Sequence, residues 1–400
     1  MMDDFAMTLV SLMEKATMLR EQLVAWRRDF HKHPEIGLEE WRTAGIVAAE
    51  LERLGYQVQT GIAKTGVVGL LSASPSRPGP VVLLRFDMDA LPLQEQNDIP
   101  YKSQHDGLMH ACGHDGHVAI GLGVAALLAQ HRDQLDGTVK LMFQPGEEGM
   151  NGAGLMIEAG VLDDPRPDVA LAAHVWNDTP LGQVGVAAGP VMAAAEAWEC
   201  VIRGTGGHGA APHQTADPIV AAAQVILAWQ TVISRNLNPQ QAAVFSVCSV
   251  LGGQAFNIIP DVVTLRGTIR SFDPAARETL LRRFEEIATG ISATLGCSAK
   301  LGMYSMTPAL VNHPEVTAVV RRAAAGIVGQ QNIIEIRTMG SEDMALVNAQ
   351  IPGCFIFIGS QNQQAGLVHP HHSPYFDFDE DVLPLAVGLL TAAALEWLDS

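Results

Sequence analysis

Basic residues are scarce in this chain: 25 Lys and Arg stand against 43 Asp and Glu, a formal net charge of −18 at pH 7. Nucleic acids and anionic membranes both ask for clustered cations, so neither is an expected partner. Long apolar runs are missing too. The longest, Val118 to Ala129 and Val382 to Leu395, fall short of the ~20 residues a bilayer span needs, and the second contains Pro384. The N-terminus, Met1-Met2-Asp3-Asp4-Phe5, is acidic where a secretory signal is basic, and no apolar core or cleavage site follows it, so secretion is not expected. Cysteines are few. Cys112, Cys200, Cys248, Cys297 and Cys354 are an odd number at scattered spacings, which fits free thiols in a reducing cytoplasm better than a disulfide framework. Internal repeats and low-complexity tracts are also lacking.

What is present is an ordinary globular composition, 48% hydrophobic and 17% charged, over 400 residues. That length exceeds what one hydrophobic core usually serves, so two domains are expected. Apolar positions at helical spacing predict one long amphipathic helix over residues 8–32, ending at His33-Pro34, and a second over 40–54 stopped by Gly55. The period then shortens to β-rich runs at Tyr56 to Gly61, Val67 to Leu71, Val81 to Phe86 and Val139 to Phe143, with a helix from about Gly116 to His131 before the last. This alternation predicts an α/β layer architecture with a largely buried sheet. A self-contained strand and helix pattern follows Gly189-Pro190: strands at 197–204, 244–251 and 262–271 and helices at 218–233 and 274–295. A helix at 314–329 and an apolar run at 354–358 then resume the first domain. The expected organisation is a first domain from 1–187 and 303–400, with a smaller α+β domain inserted at 188–302.

The most informative stretch is His110-Ala111-Cys112-Gly113-His114-Asp115-Gly116-His117, where imidazoles, a thiol and a carboxylate crowd into a glycine-punctuated turn. Transition metals need three to five donors, so further ligands must come from elsewhere in the chain. Phe143-Gln144-Pro145-Gly146-Glu147-Glu148-Gly149 places two carboxylates in a loop framed by Pro and Gly. Adjacent side chains of a regular strand face opposite ways, so one Glu can bind metal while the other acts as a base only if this loop turns both into one cavity. His174 ends an apolar run, and Val368-His369-Pro370-His371-His372-Ser373-Pro374 adds more imidazoles. Cys112, His114, Glu148, His174 and His372 make a five-donor set, a number suited to two cations sharing a bridging ligand.

Each residue also has a plainer reading. A single histidine is more often structural than ligating, and His31, His33, His131 and His313 are assigned to that class. Asp87 and Asp89, in Arg85-Phe86-Asp87-Met88-Asp89-Ala90-Leu91-Pro92, are either solvated turn acids or carboxylates that orient a ligating imidazole from behind, as metal-bound His usually requires. The Gly204-Thr205-Gly206-Gly207-His208-Gly209 turn either is merely flexible or exposes His208 as a donor aimed at a substrate. Arg270 is either a strand-edge charge or a bidentate clamp for a carboxylate.

Together with Asn257-Ile258-Ile259-Pro260-Asp261, Gly340-Ser341-Glu342-Asp343-Met344 and His372-Ser373-Pro374-Tyr375-Phe376, these motifs occur in an order that resembles one family. It is the dinuclear metal amidohydrolases that include hippurate hydrolase, bacterial aminoacylases and indoleacetyl-amino-acid hydrolases, relatives of the zinc exopeptidases. The resemblance covers nearly the whole chain. Departures at Phe86 and Met344 touch neighbours of the donors and leave the donors intact.

The resemblance implies a zinc-exopeptidase-like catalytic domain, with a central mixed sheet between helices, and a ferredoxin-like lid that also serves dimerisation. It implies that the five donors hold two divalent ions, Zn, Mn, Ni or Co, with Cys112 the bridge. Glu147 is then the general base that activates the attacking water, and His208 stabilises the oxyanion across a dimer interface. Asn257 and Arg270 engage the amino-acid part, Gly340 and Ser341 line the pocket, and Asp87, Asp89 and Asp115 support the ligands. The implied reaction is hydrolysis of N-acyl amino acids by a cytoplasmic homodimer or higher homo-oligomer. A dipeptidase or carboxypeptidase using the same donors is the nearest alternative. A non-catalytic ligand-binding protein is more remote, since neither Glu147 nor any donor has been lost.

Overall fold

The computed structural model of the chain describes residues 2–72 and 79–399; Met1 and Ser400, at the ends of the expected catalytic segments, lie outside them. The chain divides into two compact units. The first comprises residues up to Gly189 together with Val311–Ile336 and the chain from Asp343 onward; the second comprises Pro190–Leu310 and Arg337–Glu342.

In the first unit, α1 (Met2–Met18), α2 (Arg20–Lys32) and α3 (Trp41–Arg53) precede β1 (Gln57–Ile62), β2 (Gly66–Ser72) and β3 (Val81–Asp87). Then come α4 (His114–Gln130), β4 (Thr138–Gln144), α5 (Gly152–Glu158) and β5 (Val169–Pro180). The eight-stranded sheet has the order β1, β2, β4, β3, β5, Gly353–Gln361, Val184–Gly185, Ile333–Ile334. Its centre, from β4 through β3 and β5 to Gly353–Gln361, is parallel. The β1–β2 and β2–β4 pairs are antiparallel, so the sheet is mixed. All seven residues of β3 are buried, as expected of a parallel strand covered on both faces. Helix α4 is buried on every side from His114 to Leu128, which is why its sequence is apolar all round instead of striped.

The single helix expected over residues 8–32 is two. The ladder breaks at Leu19, whose N–H reaches Ala16 O, an i−3 bond. Leu9, Leu12 and Ala16 of α1 and Leu23, Phe30 and His31 of α2 all face the core, so the apolar stripe runs through the break and hides it from the sequence.

The second unit has the chain order strand Ala194–Arg203, helix Pro218–Asn236, strands Ala243–Leu251 and Val262–Ser271, helix Pro274–Thr294, strand Ser298–Thr307. This β-α-β-β-α-β order with antiparallel pairing is a ferredoxin-like fold. Asp217 and Asp273 cap the two helices through their carboxylates, each followed by Pro at the first helical position. Trp198, Trp229, Phe245 and Phe284 form its aromatic core, with Phe245 and Phe284 centroids 4.0 Å apart. Among the described helices, Pro218–Asn236 is long and apolar enough to cross a membrane. Its Ala221, Val225, Trp229 and Val232 are spent on that core.

The return to the first unit comes later than the expected residue 303. Met303 pairs with Trp198 inside a ladder that runs in register from Ser298 to Ser305, and the second unit continues to Leu310. It also takes back Arg337–Glu342, tied by Thr338 N–H to Val191 O and Ala193 N–H to Gly340 O. Gly340 and Ser341 therefore belong to the second unit.

Candidate metal centre and active site

Cys112 and His114 flank Gly113, which caps α4 at φ 91°. A Cβ there would stand 2.4 Å from Val175 Cγ2, so both the left-handed turn and the close approach require glycine. The turn sends both neighbouring side chains into one cavity. Cys112 Sγ lies 3.5 Å from His174 Nε2 on β5. The ligand atoms of Cys112, His114 and His174 all lie within 4.8 Å of one another, and so do those of Cys112, Glu148 and His372. The two groups share Cys112, as a bridging donor would. His372 reaches the site at φ 65°, its N–H donating to Ala111 O at 2.8 Å, and its Nε2 is 3.1 Å from Glu148 Oε1.

The Glu147-Glu148 loop meets the condition set for it: carboxylate oxygens of both residues lie within 4.8 Å of a His114 ring nitrogen and of each other. Gly146, at φ 59°, donates its N–H to Glu40, and the Glu148 N–H donates to Asp89 Oδ2 at 2.9 Å.

Asp89 also fixes His114. Its carbonyl and Oδ1 lie 3.0 and 3.1 Å from His114 Nδ1, which places a proton on Nδ1 and leaves Nε2 as the ring atom available to a metal. That Nε2 is buried and has no hydrogen-bond partner among the described residues, an expensive state for a polar atom unless a cation fills it. Charge points the same way. Burial opposes a positive His114, but Asp87, Cys112 and Asp89 outweigh it and raise its pKa well above the imidazole range. Burial pushes the Cys112 thiol far up, and Glu148 and Glu147 push with it against His114. His174, by burial and the neighbouring His117 and His371, is held neutral, and its Nδ1 donates to Val175 O at 2.6 Å, freeing Nε2. A neutral His174, a His114 whose surroundings favour positive charge beside its unpartnered Nε2, a thiol that ionises only beside a cation and a buried carboxylate fit a pair of divalent ions.

Asp87, His114 and His117 also cluster, but His117 has no free donor. Its Nδ1 meets Asp87 Oδ1 at 2.5 Å and its Nε2 accepts the Val175 N–H at 3.0 Å. Asp87 thus braces His117, which stacks on His114 at 5.3 Å between centroids. Burial would raise the Asp87 carboxyl, yet Arg85, His114 and His117 hold it well below its usual range. Arg85, itself buried, bonds Asp87 Oδ2, Gln144 and Asp343. Asp115 turns the other way, accepting from His31 Nδ1 at 2.7 Å and Arg27 Nε at 2.9 Å.

In the second unit, His208 and Asn257 are brought together: His208 pairs with Ile258 in a two-residue ladder, and the Gly209 N–H donates to Asn257 O. Arg270 is half-buried and spends Nη1 on Thr268 Oγ1 and Ile269 O.

Sequence reasoning missed Arg27 and Asn177 and placed His31 only as structural. Arg27 and His31 are an i, i+4 polar pair on the same stripe as Leu23 and Phe30, a signal that could have marked a buried network.

An α/β unit whose buried imidazoles, thiol and paired glutamates converge is the architecture of a metal-dependent hydrolase. Residues 83–396 match peptidase family M20/M25/M40, and the chain belongs to that family. It is 39% identical over 382 residues to the N-acetyl-L-cysteine deacetylase of Bacillus subtilis, covering 96% of this chain and 89% of that one. It is 38% identical over 383 residues to thermostable carboxypeptidase 1 of Saccharolobus solfataricus, covering 94% and 95%. The crystal structure of Bacillus subtilis YXEP, a dinuclear metal-binding peptidase of the M20 family, superposes with a TM-score of 0.84 at 34% identity, covering 96% of this chain and 99% of that one. The protein is accordingly a metal-dependent amidohydrolase whose cofactor is a pair of divalent metal ions.

Proposed function

We propose that this protein hydrolyses the amide bond of N-acyl amino acids, releasing a carboxylic acid and a free amino acid, with Cys112, His114, Glu148, His174 and His372 holding the two ions. One observation carries the proposal: two adjacent glutamates reach the same cavity, so one can serve as ligand while the other moves a proton. When bound, two divalent ions supply Lewis-acid polarisation of the amide carbonyl and lower the pKa of water. Glu147 takes the proton from the attacking water and delivers it to the departing nitrogen as the C–O bond forms and the C–N bond breaks. His208, supplied by the second subunit of a homodimer, donates to the oxyanion, and Arg270 and Asn257 engage the free carboxylate of the amino acid. Gly340 and Ser341 line the pocket. Asp87, Asp89 and Asp115 keep the ligand-bearing turns in register.

The acyl pocket decides between this reaction and peptide cleavage, and the carboxypeptidase relative keeps the second in view. The scattered free cysteines support a cytoplasmic enzyme. The deciding experiment strips the protein with a chelator, refills it with Zn, Mn, Co or Ni, and follows amino-acid release from N-acetyl, N-benzoyl and indoleacetyl amino acids beside plain dipeptides. Metal-restored release from the acyl amino acids is expected. Cleavage of dipeptides alone would move the enzyme to the peptidase side.

A further inference from the structure

The chain between Gln361 and Val382 forms no helix or strand, yet it must present His372 at a defined place. Its backbone supplies one direct tie to the Cys112 turn, the His372 N–H on Ala111 O. Elsewhere the backbone is tied by Gln96 N–H to Pro374 O and by Asp379 N–H to Ser360 O, and side chains from other elements add to these. Arg27, fully buried on α2, sends Nη2 to Asp377 Oδ1 at 2.7 Å and Nη1 to Glu380 Oε1 at 3.2 Å. The same guanidinium sends Nε to Asp115 Oδ2 at 2.9 Å. Asp115 follows His114 on the first turn of α4, and Asp377 lies five residues beyond His372.

The geometry points to Arg27 as a positioning residue for the metal centre: one rigid fork holds the carboxylates flanking His114 and His372, and so sets the separation of two ligand-bearing segments. A planar guanidinium with fixed N–H directions can span three carboxylates in this way, and an ammonium cannot. The fork is itself immobilised, with its carbon 4.3 Å from the Phe378 ring centroid and 4.9 Å from that of Tyr101. Tyr101 Oη donates to Asp377 Oδ2 at 2.7 Å, closing the clamp from the far side. Asn177, three residues past His174 on β5, bonds the carbonyls of His369 and Asp377 and anchors the same segment to the third imidazole's strand. Arg27 touches neither substrate nor metal, and acts through Asp115 and Asp377.

This inference rests on the ligand set proposed above, and the experiment separates the two. Full-length wild type, Arg27→Lys and Tyr101→Phe are stripped of metal and titrated with Co(II) against a competing chelator, with the visible spectrum recorded, including the thiolate charge-transfer band of Cys112. Wild type that takes up fewer than two ions, or shows no thiolate band, refutes the ligand set itself. With wild type as expected, Arg27→Lys should bind at least one ion about 10- to 100-fold more weakly, the range for residues that orient metal ligands from behind, with an altered spectrum. Tyr101→Phe should shift both in the same direction by less. A folded Arg27→Lys with both affinities within about twofold of wild type and an unchanged spectrum would overturn the proposal, whatever its Tm, because a purely structural role predicts loss of stability alone. Should Arg27→Lys fail to fold, Tyr101→Phe and Asp377→Asn decide by the same two readouts.

Discussion

Asp89 holds His114 and Glu148 with one side chain: Oδ1 lies 3.1 Å from His114 Nδ1 while Oδ2 accepts the Glu148 N–H at 2.9 Å. A helix-borne imidazole and a loop-borne carboxylate are thereby fixed to the same carboxyl group. Asp89→Ala should weaken metal binding by about 10- to 100-fold, since both the tautomer of His114 and the placement of Glu148 lose their support. Chelator competition measures it. Unchanged affinity would mean that the Asp89 carbonyl, 3.0 Å from the same nitrogen, suffices.

Glu147→Gln should keep two ions and lose roughly 10²- to 10⁴-fold in kcat, the range for removal of a general base. Metal content of the purified variant, measured beside turnover, tests it. Metal lost together with activity would show that the roles of Glu147 and Glu148 are exchanged.

His114 and His117 lie three residues apart and stack, yet they should respond differently to truncation. His114→Ala removes the unpartnered Nε2 and should cost an ion. His117→Ala leaves the buried Asp87 Oδ1 and Val175 N–H without their partner, a cost of about 1–3 kcal/mol for each unsatisfied group, with both ions retained at first order. Metal stoichiometry and thermal melts of the two variants separate the roles; loss of an ion from His117→Ala would return that residue to the donor set.

Cys112 carries a pH prediction. Burial and the neighbouring glutamates hold its thiol well above the usual range, so in metal-free protein the reactive thiolate is rare at neutral pH and its population grows about tenfold per pH unit below that raised pKa. Alkylation of the apo protein at Cys112 should therefore be slow at pH 7 and climb steadily beyond pH 9. With metal bound, the residue should be protected across the range. Peptide mapping of the alkylated protein provides the readout, and a rate that reaches half its maximum near pH ~8.5 would show an unperturbed thiol.

Much of the site was legible in the chain because its donors sit in short segments punctuated by Gly and Pro, whose backbone demands are local. Gly113 between Cys112 and His114, and Pro145-Gly146 before Glu147, announce turns that expose side chains. Helices Pro218–Asn236 and Pro274–Thr294 were legible for the same reason, each opening on Asp-Pro. The break at Leu19 was not, because α1 and α2 bury one continuous stripe. Nor was the late end of the second unit, since strand Ser298–Thr307 pairs with residues about a hundred positions earlier.

The sequence by itself determined which residue types could ligate and in what local geometry, because turn chemistry and side-chain periodicity act over a few residues. Only the tertiary structure decided which of those imidazoles is free. His114 and His117 are alike in the chain. They differ because Val175, from β5, donates its N–H to His117 Nε2, while His114 Nε2 has no hydrogen-bond partner among the described residues. The same holds for Arg27, an unremarked cation on an amphipathic helix until folding sets it among Asp115, Asp377 and Glu380. A buried charge takes its meaning from the groups that compensate it, and those lie as much as 353 residues away along the chain.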